Sequence, residues 1–358
     1  MSRLALRRHA SLLATLCLAQ LVPTESVCAA GQVPACSVGG ADFCGFDRPE
    51  DLAALPGTPW LAVSQSSLTA PIVLLNPRTG SRRSFNPSER HNPPQRSARG
   101  CSGPPDHVNV GGIDARRVNG QIWLAALNRT TPQRIELFVV NGLLADPTIV
   151  WRDCVPVPSA YAINDVALSR DGDLYATHMF DRPESQAAAQ QLRAKFLAAE
   201  PTGFALHWGR QHGWSRLAGS DLSFANGIAV SGDGRWLVVS GTFDQALLII
   251  SLTHNDVRRL SVPLQPDNVT PLGRASFIVA GHTGVPVSGV DPCRDPRANP
   301  CGFPFAVVKL SAKTRIVSPI YADSGAATPG ASVGLLDGHL LYLGSAFGDR
   351  VSTRRLRN

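Results

Sequence analysis

Residues 223–241 read SFANGIAVSGDGRWLVVSG, and this stretch decides the fold class. An Asp-Gly pair at Asp233-Gly234 leads into a strand-like apolar run, and such a pair favours the tight turn of a β-hairpin. The same arrangement recurs along the chain, with turn dipeptides before apolar runs at Asn119-Gly120, Asp171-Gly172 and Asp337-Gly338. We therefore expect an all-β protein built from repeated hairpins.

The spacing of these turns indicates a propeller. Gly120, Gly172, Gly234 and Gly338 are separated by 52, 62 and 104 residues, and the last gap has room for another unit around Leu272-Gly273. A repeat of about 50 residues is typical of propeller blades. The chain after its first cysteines has room for six such units. The sequence thus predicts a six-bladed β-propeller in one domain that spans residues 31–358.

One segment departs from the β pattern. Residues 184–200 form an alanine- and glutamine-rich run between two prolines, which favours a helix. Its apolar positions Leu192, Phe196 and Leu197 would face the propeller, so we expect a short helical cap insertion. A membrane-surface anchor is the less favoured alternative for this segment, because the apolar stripe is thin.

The amino end has the pattern of a secretory signal peptide. Three arginines precede an apolar run over residues 12–22, and small residues follow at Cys28, Ala29 and Ala30. We expect residues 1–30 to be removed and the mature chain to be exported to the periplasm or secreted. No later segment of the sequence approaches the about 18 uninterrupted apolar residues of a membrane-spanning helix, so we expect no membrane association.

The charge of the chain gives no sign of a nucleic-acid partner. Lys and Arg together number 34 against 27 Asp and Glu, which leaves a formal net charge of +7. The basic residues are scattered, whereas a nucleic-acid-binding protein presents them as a stripe or within a recognised motif. Composition therefore excludes nucleic acid as the expected partner.

Six cysteines follow the predicted leader, at positions 36, 44, 101, 154, 293 and 301. An even number in an exported chain predicts disulfides. Equal short spacings favour pairing the first two with each other and the last two with each other, which leaves Cys101 for Cys154. An equally simple alternative links Cys44 to Cys101. Zinc is less favoured, because no CxxC motif or ligand-spaced histidine accompanies these cysteines.

Four short motifs of acids and amides recur in phase with the predicted blades. They are Glu50-Asp51, Asn164-Asp165, Phe224-Ala225-Asn226-Gly227 and Asp267-Asn268. The innermost strand of each propeller blade ends near the central channel, so motifs that are distant in sequence can surround one ion. Calcium takes about six to eight oxygens from carboxylates, side-chain amides and backbone carbonyls. The four motifs therefore predict a calcium site at the channel.

With these motifs the chain resembles the paraoxonase/arylesterase branch of the calcium-dependent lactonase propellers, which also include the gluconolactonase-like SMP-30 enzymes. The likeness spans about residues 44–350. It rests on residues 48–52 with 55–56, 112–114, 163–166 with 172 and 175–177, 223–227 with 233–234, and 267–269. The resemblance implies an exported hydrolase of lactones or aryl esters.

Two calcium ions are implied by the resemblance. The catalytic ion would be bound by Glu50, Asn164, Asn226, Asp267 and Asn268. The structural ion would use Asp51, Asp165 and the backbone carbonyl of Ile113. Neighbouring residues of a strand point to opposite sides, so adjacent motif residues can serve different ions. The exposed ion would act as a Lewis acid and hold the oxyanion that forms when water attacks the carbonyl group.

The chain departs from this family at the general base and at the closing disulfide. The family's histidine pair is replaced by Gly111 and Arg129. The candidates for the base are His178, His282 and Glu50, with His107 as a further option. No cysteine follows Cys301, so we expect the terminal blade to close by strand pairing or by another crosslink.

Three functions remain open from the sequence. The first is a calcium-dependent hydrolase of lactones or aryl esters, the second a non-catalytic calcium-braced propeller that binds a ligand or protein, and the third an aldonolactonase. Sugar lactones need several polar contacts, whereas alkyl or aryl substrates need an apolar mouth. Phe180, Phe196, Phe243 and Phe347 favour an apolar substrate. A Ser-His-Asp hydrolase is disfavoured, because no Gly-x-Ser-x-Gly elbow occurs between a strand and a helix.

Overall fold

The computed structural model of the protein describes residues 31–32, 36, 41–67, 70–85, 101, 103–105, 108–142, 146–284, 301–302, 304–326 and 328–357. Its main feature is a set of six four-stranded antiparallel sheets, the blades of a propeller, which confirms the predicted fold class. The expected signal peptide, His107 and Cys293 lie outside the described residues.

Strands in the first half of the chain are β1 (Gly31–Gln32), β2 (Phe43–Cys44), β3 (Leu52–Ala54), β4 (Leu61–Val63), β5 (Ile72–Leu75), β6 (Arg82–Phe85), β7 (Val110–Val118), β8 (Gln121–Asn128), β9 (Arg134–Asn141), β10 (Thr148–Pro156), β11 (Ile163–Leu168) and β12 (Leu174–His178). Next come α1 (Gln186–Leu197), β13 (Phe204–Gly209), β14 (Gly213–Arg216), β15 (Ala225–Val230), β16 (Trp236–Gly241), β17 (Ala246–Ser251) and β18 (Val257–Ser261). The remaining strands are β19 (Gln265–Leu272), β20 (Ser276–His282), β21 (Cys301–Gly302), β22 (Phe305–Ser311), β23 (Ile316–Asp323), β24 (Val333–Asp337), β25 (Leu340–Gly344) and β26 (Arg350–Arg355).

The blades follow one another along the chain. Blades 1 to 4 are β3-β4-β5-β6, β7-β8-β9-β10, β11-β12-β13-β14 and β15-β16-β17-β18, blade 5 is β19-β20-β22-β23, and blade 6 is β24-β25-β26-β2. A separate two-stranded sheet pairs β1 with β21. The first strand of each blade is its innermost strand.

Apolar side chains fill the spaces between neighbouring blades. Trp60 and Leu74 of blade 1 pack with Ile122 and Leu124 of blade 2, and all four are at most 1% exposed. Each such buried side chain stabilises the fold by about 1.5–3 kcal/mol relative to an exposed one. The propeller therefore has a core divided into layers between its blades, because each sheet buries both of its faces.

The turn from the innermost to the second strand contains a glycine with positive φ in every blade. These glycines are Gly57, Gly120, Gly172, Gly234, Gly273 and Gly338, with φ between 58° and 86°. In blade 2 the turn is the predicted two-residue hairpin, closed by the pair Val118 and Gln121. In blades 3 and 4 the turn is longer than predicted, since the last strand pairs are Leu168 with Leu174 and Val230 with Leu237. In blade 3 the Ser169 hydroxyl accepts backbone N–H groups from Asp171 and Asp173 and holds the wider loop.

Blade 6 is completed by the amino end of the chain. Strand β2 pairs with β26, so the ring closes by strand pairing as the sequence predicted. The Asp42 carboxylate adds to this closure: it accepts the Thr353 N–H at 3.1 Å and pairs with the Arg354 guanidinium at 2.9 Å. Two of the expected disulfides, Cys36–Cys44 and Cys101–Cys154, are formed.

The predicted helical insertion is present as α1. Ser185 is its N-cap, and the Ser185 hydroxyl accepts the Ala188 N–H, which satisfies one of the free amide groups of the first turn. Phe196 packs against Phe180, Phe224 and Phe243, so the helix lies against blade 4 as a cap. Leu197, which was expected to face the propeller, is 51% exposed instead, because it lies at the last position of the helix.

A β-bulge interrupts the innermost strand of four blades at the same position. In each case two residues lie opposite one residue of the second strand, and the register shifts between Val110 and Ile113, Ile163 and Val166, Ala225 and Ile228, and Pro266 and Val269. The bulged pairs are Gly111-Gly112, Asn164-Asp165, Asn226-Gly227 and Asp267-Asn268. A bulge re-aims side chains and is common beside active sites.

Glycine at alternate blades relieves crowding around the axis. A Cβ atom on Gly112 would lie 1.9 Å from Asp165 Oδ1, and one on Gly227 would lie 2.5 Å from the Asp267 carbonyl oxygen and 2.6 Å from Asn268 Cα. The larger second residues of the bulges, Asp165 and Asn268, thus occupy space that Gly112 and Gly227 leave open. In blades 2 to 5, small and large residues thus alternate at this position around the channel.

Substitution of Gly227 tests this packing. We expect Gly227→Ala to lower the free energy of unfolding by about 1–3 kcal/mol, because its Cβ would collide with backbone atoms that cannot rotate away. Urea denaturation measures the change. Gly209→Ala is the control, since its Cβ would meet no atom closer than 3.6 Å; equal stabilities of the two variants would contradict the crowding argument.

Candidate functional site at the channel mouth

The first residue of each polar bulge contributes to a cluster at the mouth of the channel. Asn164, Asn226 and Asp267 come from the bulges of blades 3, 4 and 5, and Glu50 immediately precedes Asp51 at the start of blade 1. The structure thus brings together four of the five residues that the resemblance assigned to a catalytic ion. Together with Arg129 they form the mouth cluster, defined as Glu50, Arg129, Asn164, Asn226 and Asp267.

Arg129 lies at the centre of the mouth cluster. Its Nη1 donates to Glu50 Oε2 at 2.8 Å, and its Nη2 donates to Glu50 Oε1 at 2.8 Å and to Asn164 Oδ1 at 2.6 Å. Nη1 also donates to Ser66 Oγ at 3.1 Å. Burial opposes the charge of Arg129, but the carboxyl groups of Glu50, Asp165 and Asp267 together hold the pKa of the guanidinium above its ordinary value.

Amide hydrogen bonds extend the cluster to blades 4 and 5. The Asn164 amide donates to Asn226 Oδ1, and the Asn226 amide donates to Thr242 Oγ1 at 3.0 Å. Asn226 also hydrogen-bonds to the Asp267 carboxyl group. Burial raises the pKa of Asp267 well above its usual range, and the negative charge of Glu50 raises it further.

The two positions at which the sequence departs from the family are sterically linked. A Cβ atom on Gly111 would lie 2.4 Å from Arg129 Nε and 2.8 Å from its Cζ. Any side chain at position 111 would therefore displace the guanidinium. The sequence showed Gly111 and Arg129 as two missing histidines, but not that the arginine fills the space left by the glycine.

The donor set of the mouth cluster has the chemistry of a calcium site, but its centre holds a guanidinium. Carboxylate and amide oxygens from four blades converge, as a hard cation requires. Both Glu50 oxygens and Asn164 Oδ1 nevertheless point to Arg129. The residues as arranged do not fit an additional ion, and we derive no step through calcium at the mouth.

Deeper in the channel, the buried carboxyl groups of Asp51, Asp114 and Asp165 each accept a backbone N–H group from the next blade. Asp51 Oδ2 accepts the Ile113 N–H at 2.8 Å, and Asp165 Oδ2 accepts the Ile228 N–H at 2.8 Å. Asp114 Oδ2 accepts the Leu168 N–H at 2.7 Å in the same manner. Each carboxyl group thus connects its own blade to the next one.

Burial makes the deeper carboxyl groups of Asp51, Asp114 and Asp165 harder to ionise. Burial raises the pKa of Asp51 to about 8, and the charges of Glu50 and Asp114 also raise it. Burial likewise raises the pKa of Asp165 well above its usual range, with Asp51 contributing. A cavity of about 50 Å³ is lined by Asp51, Ile113 and Asp114 among other residues of the inner strands. A cation would offset the cost of burying these carboxylates so close together.

Asn268 and Ile113 contribute differently from the other predicted ligands. The Asn268 amide donates to the Glu50 carbonyl oxygen at 3.1 Å, and the Ser332 hydroxyl donates to the same oxygen at 2.7 Å. Asn268 therefore supports the backbone of Glu50 from below the mouth. Ile113 contributes its N–H group to Asp51, while its carbonyl group was the predicted ligand.

His178 is a packing residue at the rim of the mouth. It ends β12, where it pairs with Ile163, and its side chain is 1% exposed. Nδ1 accepts the Ala162 N–H at 3.0 Å, which leaves Nε2 to donate to Asp181 at 3.2 Å. The ring packs against Tyr161 and Phe204, and burial lowers its pKa. Both ring nitrogens of His178 are therefore occupied by hydrogen bonds to the neighbouring loops.

His282 also ends the second strand of its blade, one residue further from the bulge in blade 5 than His178 is in blade 3. It ends β20 opposite Gln265, contacts the ring of Phe347 and donates a hydrogen bond to the Gly330 carbonyl group. Burial lowers its pKa to about 4. Of the three predicted bases, Glu50 is bound through both oxygens to Arg129, and the two histidines are enclosed by protein groups.

An aromatic patch borders the mouth cluster on blade 4. Phe224 lies two residues before Asn226, and its ring contacts Phe180, Phe196 and Phe243 with centroid distances of 5.7, 5.5 and 5.5 Å. All four rings are partly exposed. Three of the four aromatic residues proposed from the sequence therefore lie together beside the mouth, whereas Phe347 lies against His282.

Comparisons with known proteins support the fold. No family model matches the chain, and no protein of curated function matches its sequence. The luciferin-regenerating enzyme superposes with a TM-score of 0.51 at 14% identity and covers 88% of this chain and 94% of its own. The aldose sugar dehydrogenase of Streptomyces coelicolor, in its PQQ-bound form, has a TM-score of 0.50 at 15% identity, with 91% and 100% covered.

The calcium-binding protein regucalcin from Agrobacterium tumefaciens has a TM-score of 0.49 at 11% identity and covers 85% of this chain and 83% of its own. At such identities the luciferin-regenerating enzyme and the aldose sugar dehydrogenase support the propeller fold alone. Within the described ranges, no group of three or more His, Cys, Asp and Glu side chains is arranged to bind a metal. Also within them, no helix is long and apolar enough to cross a membrane.

The pKa of His282 predicts a pH-dependent stability. The folded pKa of about 4 lies below the ordinary 6.5, so the unfolded chain binds the proton more readily. The contribution of neutral His282 is complete above pH 6.5 and is lost as the pH falls towards 4, to a total of about 3 kcal/mol. Urea unfolding of wild type and His282→Gln across this range measures it.

We expect His282→Gln to lose less stability on acidification than the wild type, since glutamine takes up no proton there. The control is His212→Gln, which removes an exposed histidine from a surface turn. Parallel stability curves for wild type and His282→Gln would contradict the assigned burial.

Proposed function

We propose that the protein is a hydrolase of lactones or aryl esters that acts at the channel mouth. The observation that carries the proposal is the mouth cluster, in which polar side chains from four blades converge around one positive charge beside an aromatic patch. Ester and lactone hydrolysis needs such a positive centre for the oxyanion and a polar group that orients the attacking water.

Within the cluster, the two carboxyl groups have different environments. Glu50 is bound through both oxygens to Arg129, so it fixes the position of the positive charge. Asp267 hydrogen-bonds to Asn226 and is partly exposed at the mouth. We therefore assign Asp267, rather than Glu50, His178 or His282, as the group that accepts a proton from water.

The proposal includes one calcium ion, bound deeper in the channel than the mouth cluster. Asp51, Asp165 and the Ile113 carbonyl group would hold one structural ion, as the resemblance implies. That ion would neutralise the buried carboxylates between blades. The hydrogen bonds from Asp51 to Ile113 and from Asp165 to Ile228 already hold these groups in place.

The aromatic patch favours an apolar substrate within this class. Phe180, Phe196, Phe224 and Phe243 present partly exposed rings next to Asn226. Such a surface binds an alkyl chain or an aryl group, whereas a sugar lactone needs groups that pair with its hydroxyls. An aldonolactonase is therefore the less favoured hydrolase.

Export belongs to the same proposal. Two disulfides, Cys36–Cys44 and Cys101–Cys154, link segments near the amino end and in blade 2. Disulfides persist in oxidising compartments such as the periplasm and the cell exterior. The substrate would accordingly be a lactone or ester that is present outside the cytoplasm.

A second candidate is a non-catalytic propeller that binds a small ligand at the same mouth. The observation that favours it is the state of the candidate bases: Nδ1 of His178 accepts a backbone N–H, and Glu50 is fully paired with Arg129. If the hydrogen bond from Asn226 occupies Asp267 in the same way, the site has ordered polar groups but no free base, and it binds its ligand without turnover.

Hydrolysis of a lactone and aryl-ester panel by the mature protein tests the two candidates. We expect turnover of apolar substrates, reduced about 100-fold or more by Asn226→Ala, because the Asn226 amide connects Asn164 with Asp267. A matched control is Asn141→Ala, which removes an exposed asparagine at the end of β9. Turnover is measured together with the thermal midpoint of each variant.

Retained turnover in a folded Asn226→Ala variant would exclude the mouth cluster as the active site. No turnover of any panel member by the folded wild type, combined with saturable binding of one of them, would establish the binding function instead.

A further inference from the structure

The guanidinium of Arg129 is held by the same atoms that a mouth calcium would need. Its Nη atoms donate hydrogen bonds to both carboxylate oxygens of Glu50 and to the side-chain oxygen of Asn164, at distances between 2.6 and 2.8 Å. Its charge also acts on Asp165 and Asp267. One side chain of blade 2 thereby connects blades 1, 3 and 5 electrostatically, as a central ion would.

The side chain of Arg129 is held in place by specific contacts. Both Nη atoms donate hydrogen bonds, Nη1 to Glu50 and Ser66 and Nη2 to Glu50 and Asn164, and the side chain is only 20% exposed. Its position requires Gly111, because a Cβ there would lie within 2.9 Å of three guanidinium atoms. The backbone at Gly111 therefore leaves the space that the guanidinium of Arg129 occupies.

We propose that Arg129 replaces calcium as the cation of the mouth cluster. The positive centre of the site is then part of the polypeptide chain and cannot be removed by a chelator. The inference concerns the same site as the proposed function and identifies its cation.

This substitution changes the chemistry that the site can perform. A catalytic metal keeps an open coordination position for the substrate, whereas both Nη atoms of Arg129 already donate to Glu50, Ser66 or Asn164. Arg129 therefore acts on a bound carbonyl group through its charge and through the amides that it positions, and not by direct coordination. Arg129 is in this sense a positioning residue that fixes Glu50 and Asn164.

Calcium uptake by Arg129→Met tests the proposal without reference to activity. Methionine retains much of the apolar volume of the side chain and removes its charge, so Glu50, Asn164, Asn226 and Asp267 become available to an ion. With protein first stripped by EDTA, we expect Arg129→Met to bind one more calcium ion per chain than the wild type in equilibrium dialysis and calorimetry. Adding Asn226→Ala to Arg129→Met should remove the extra ion.

Arg134→Met is the matched control. Arg134 lies in the same blade and pairs through Nε with Glu136 at 2.5 Å, with 18% of its side chain exposed. Its replacement also breaks a partly buried ion pair but does not open the mouth cluster. We expect its calcium stoichiometry to equal that of the wild type, and any ion at the deeper site contributes equally to every variant.

The wild type supplies an independent measurement. Asn226→Ala and wild type should bind the same number of calcium ions, because neither holds one at the mouth. An ion that the wild type binds and Asn226→Ala loses would overturn the proposal, as would a folded Arg129→Met that gains none. If Arg129→Met folds only when calcium is added, that rescue supports the proposal; if it folds under neither condition, the comparison of wild type with Asn226→Ala decides.

The number of calcium ions bound per chain tests the role of Arg129 independently of the proposed hydrolase activity. Failure of every panel substrate would refute the proposed function and leave these stoichiometries unchanged. Conversely, calcium bound at the wild-type mouth would refute the role of Arg129 while hydrolysis could still be observed.

Discussion

Convergence of six strands on one axis is the constraint on which the rest of this structure depends. Near the channel, neighbouring inner strands approach so closely that Gly112 and Gly227 have no space for a Cβ atom. Side chains at the channel must therefore alternate in size, and polar groups must find partners in the next blade. The hydrogen bonds of Asp51, Asp114 and Asp165 to backbone amides of adjacent blades satisfy both needs at once.

The mouth cluster follows from this constraint. Bulges at equivalent positions turn one polar residue of each pair towards the mouth and its neighbour towards the channel interior. Such a concentration of carboxyl groups needs positive charge, which an ion or a guanidinium can supply. A partly buried ion pair gives little net stability but fixes geometry when its hydrogen bonds are complete. Arg129 meets that condition with Glu50 and Asn164.

Local sequence chemistry predicted the fold and most of the cluster. Asp-Gly and Asn-Gly pairs specify turns by their own backbone preferences, so the blades could be located without knowledge of the tertiary structure. Three of the acid-and-amide motifs coincide with bulges of the inner strands, which the sequence did not predict. Sequence could not tell which member of Asp267-Asn268 faces the mouth, because that depends on the register of the bulge.

The position of the Arg129 side chain could not be predicted from the sequence. A long side chain can reach several destinations, and its place here is set by the space above Gly111 on a different strand and by acceptors on blades 1 and 3. The burial of His178 beneath Tyr161 and Phe204 is likewise a property of tertiary packing. Residue type identified candidates for chemistry, whereas packing decided which of them were free to act.

Strand β2 belongs to the last sheet although it precedes the first complete blade in the chain. During synthesis, residues 43–44 therefore emerge early and remain without their partner until residues 350–355 have left the ribosome. The ring cannot close on a nascent chain that lacks its final segment. A chain cut before residue 350 would leave β2 and β25 without β26 between them, so the ring would stay open at blade 6.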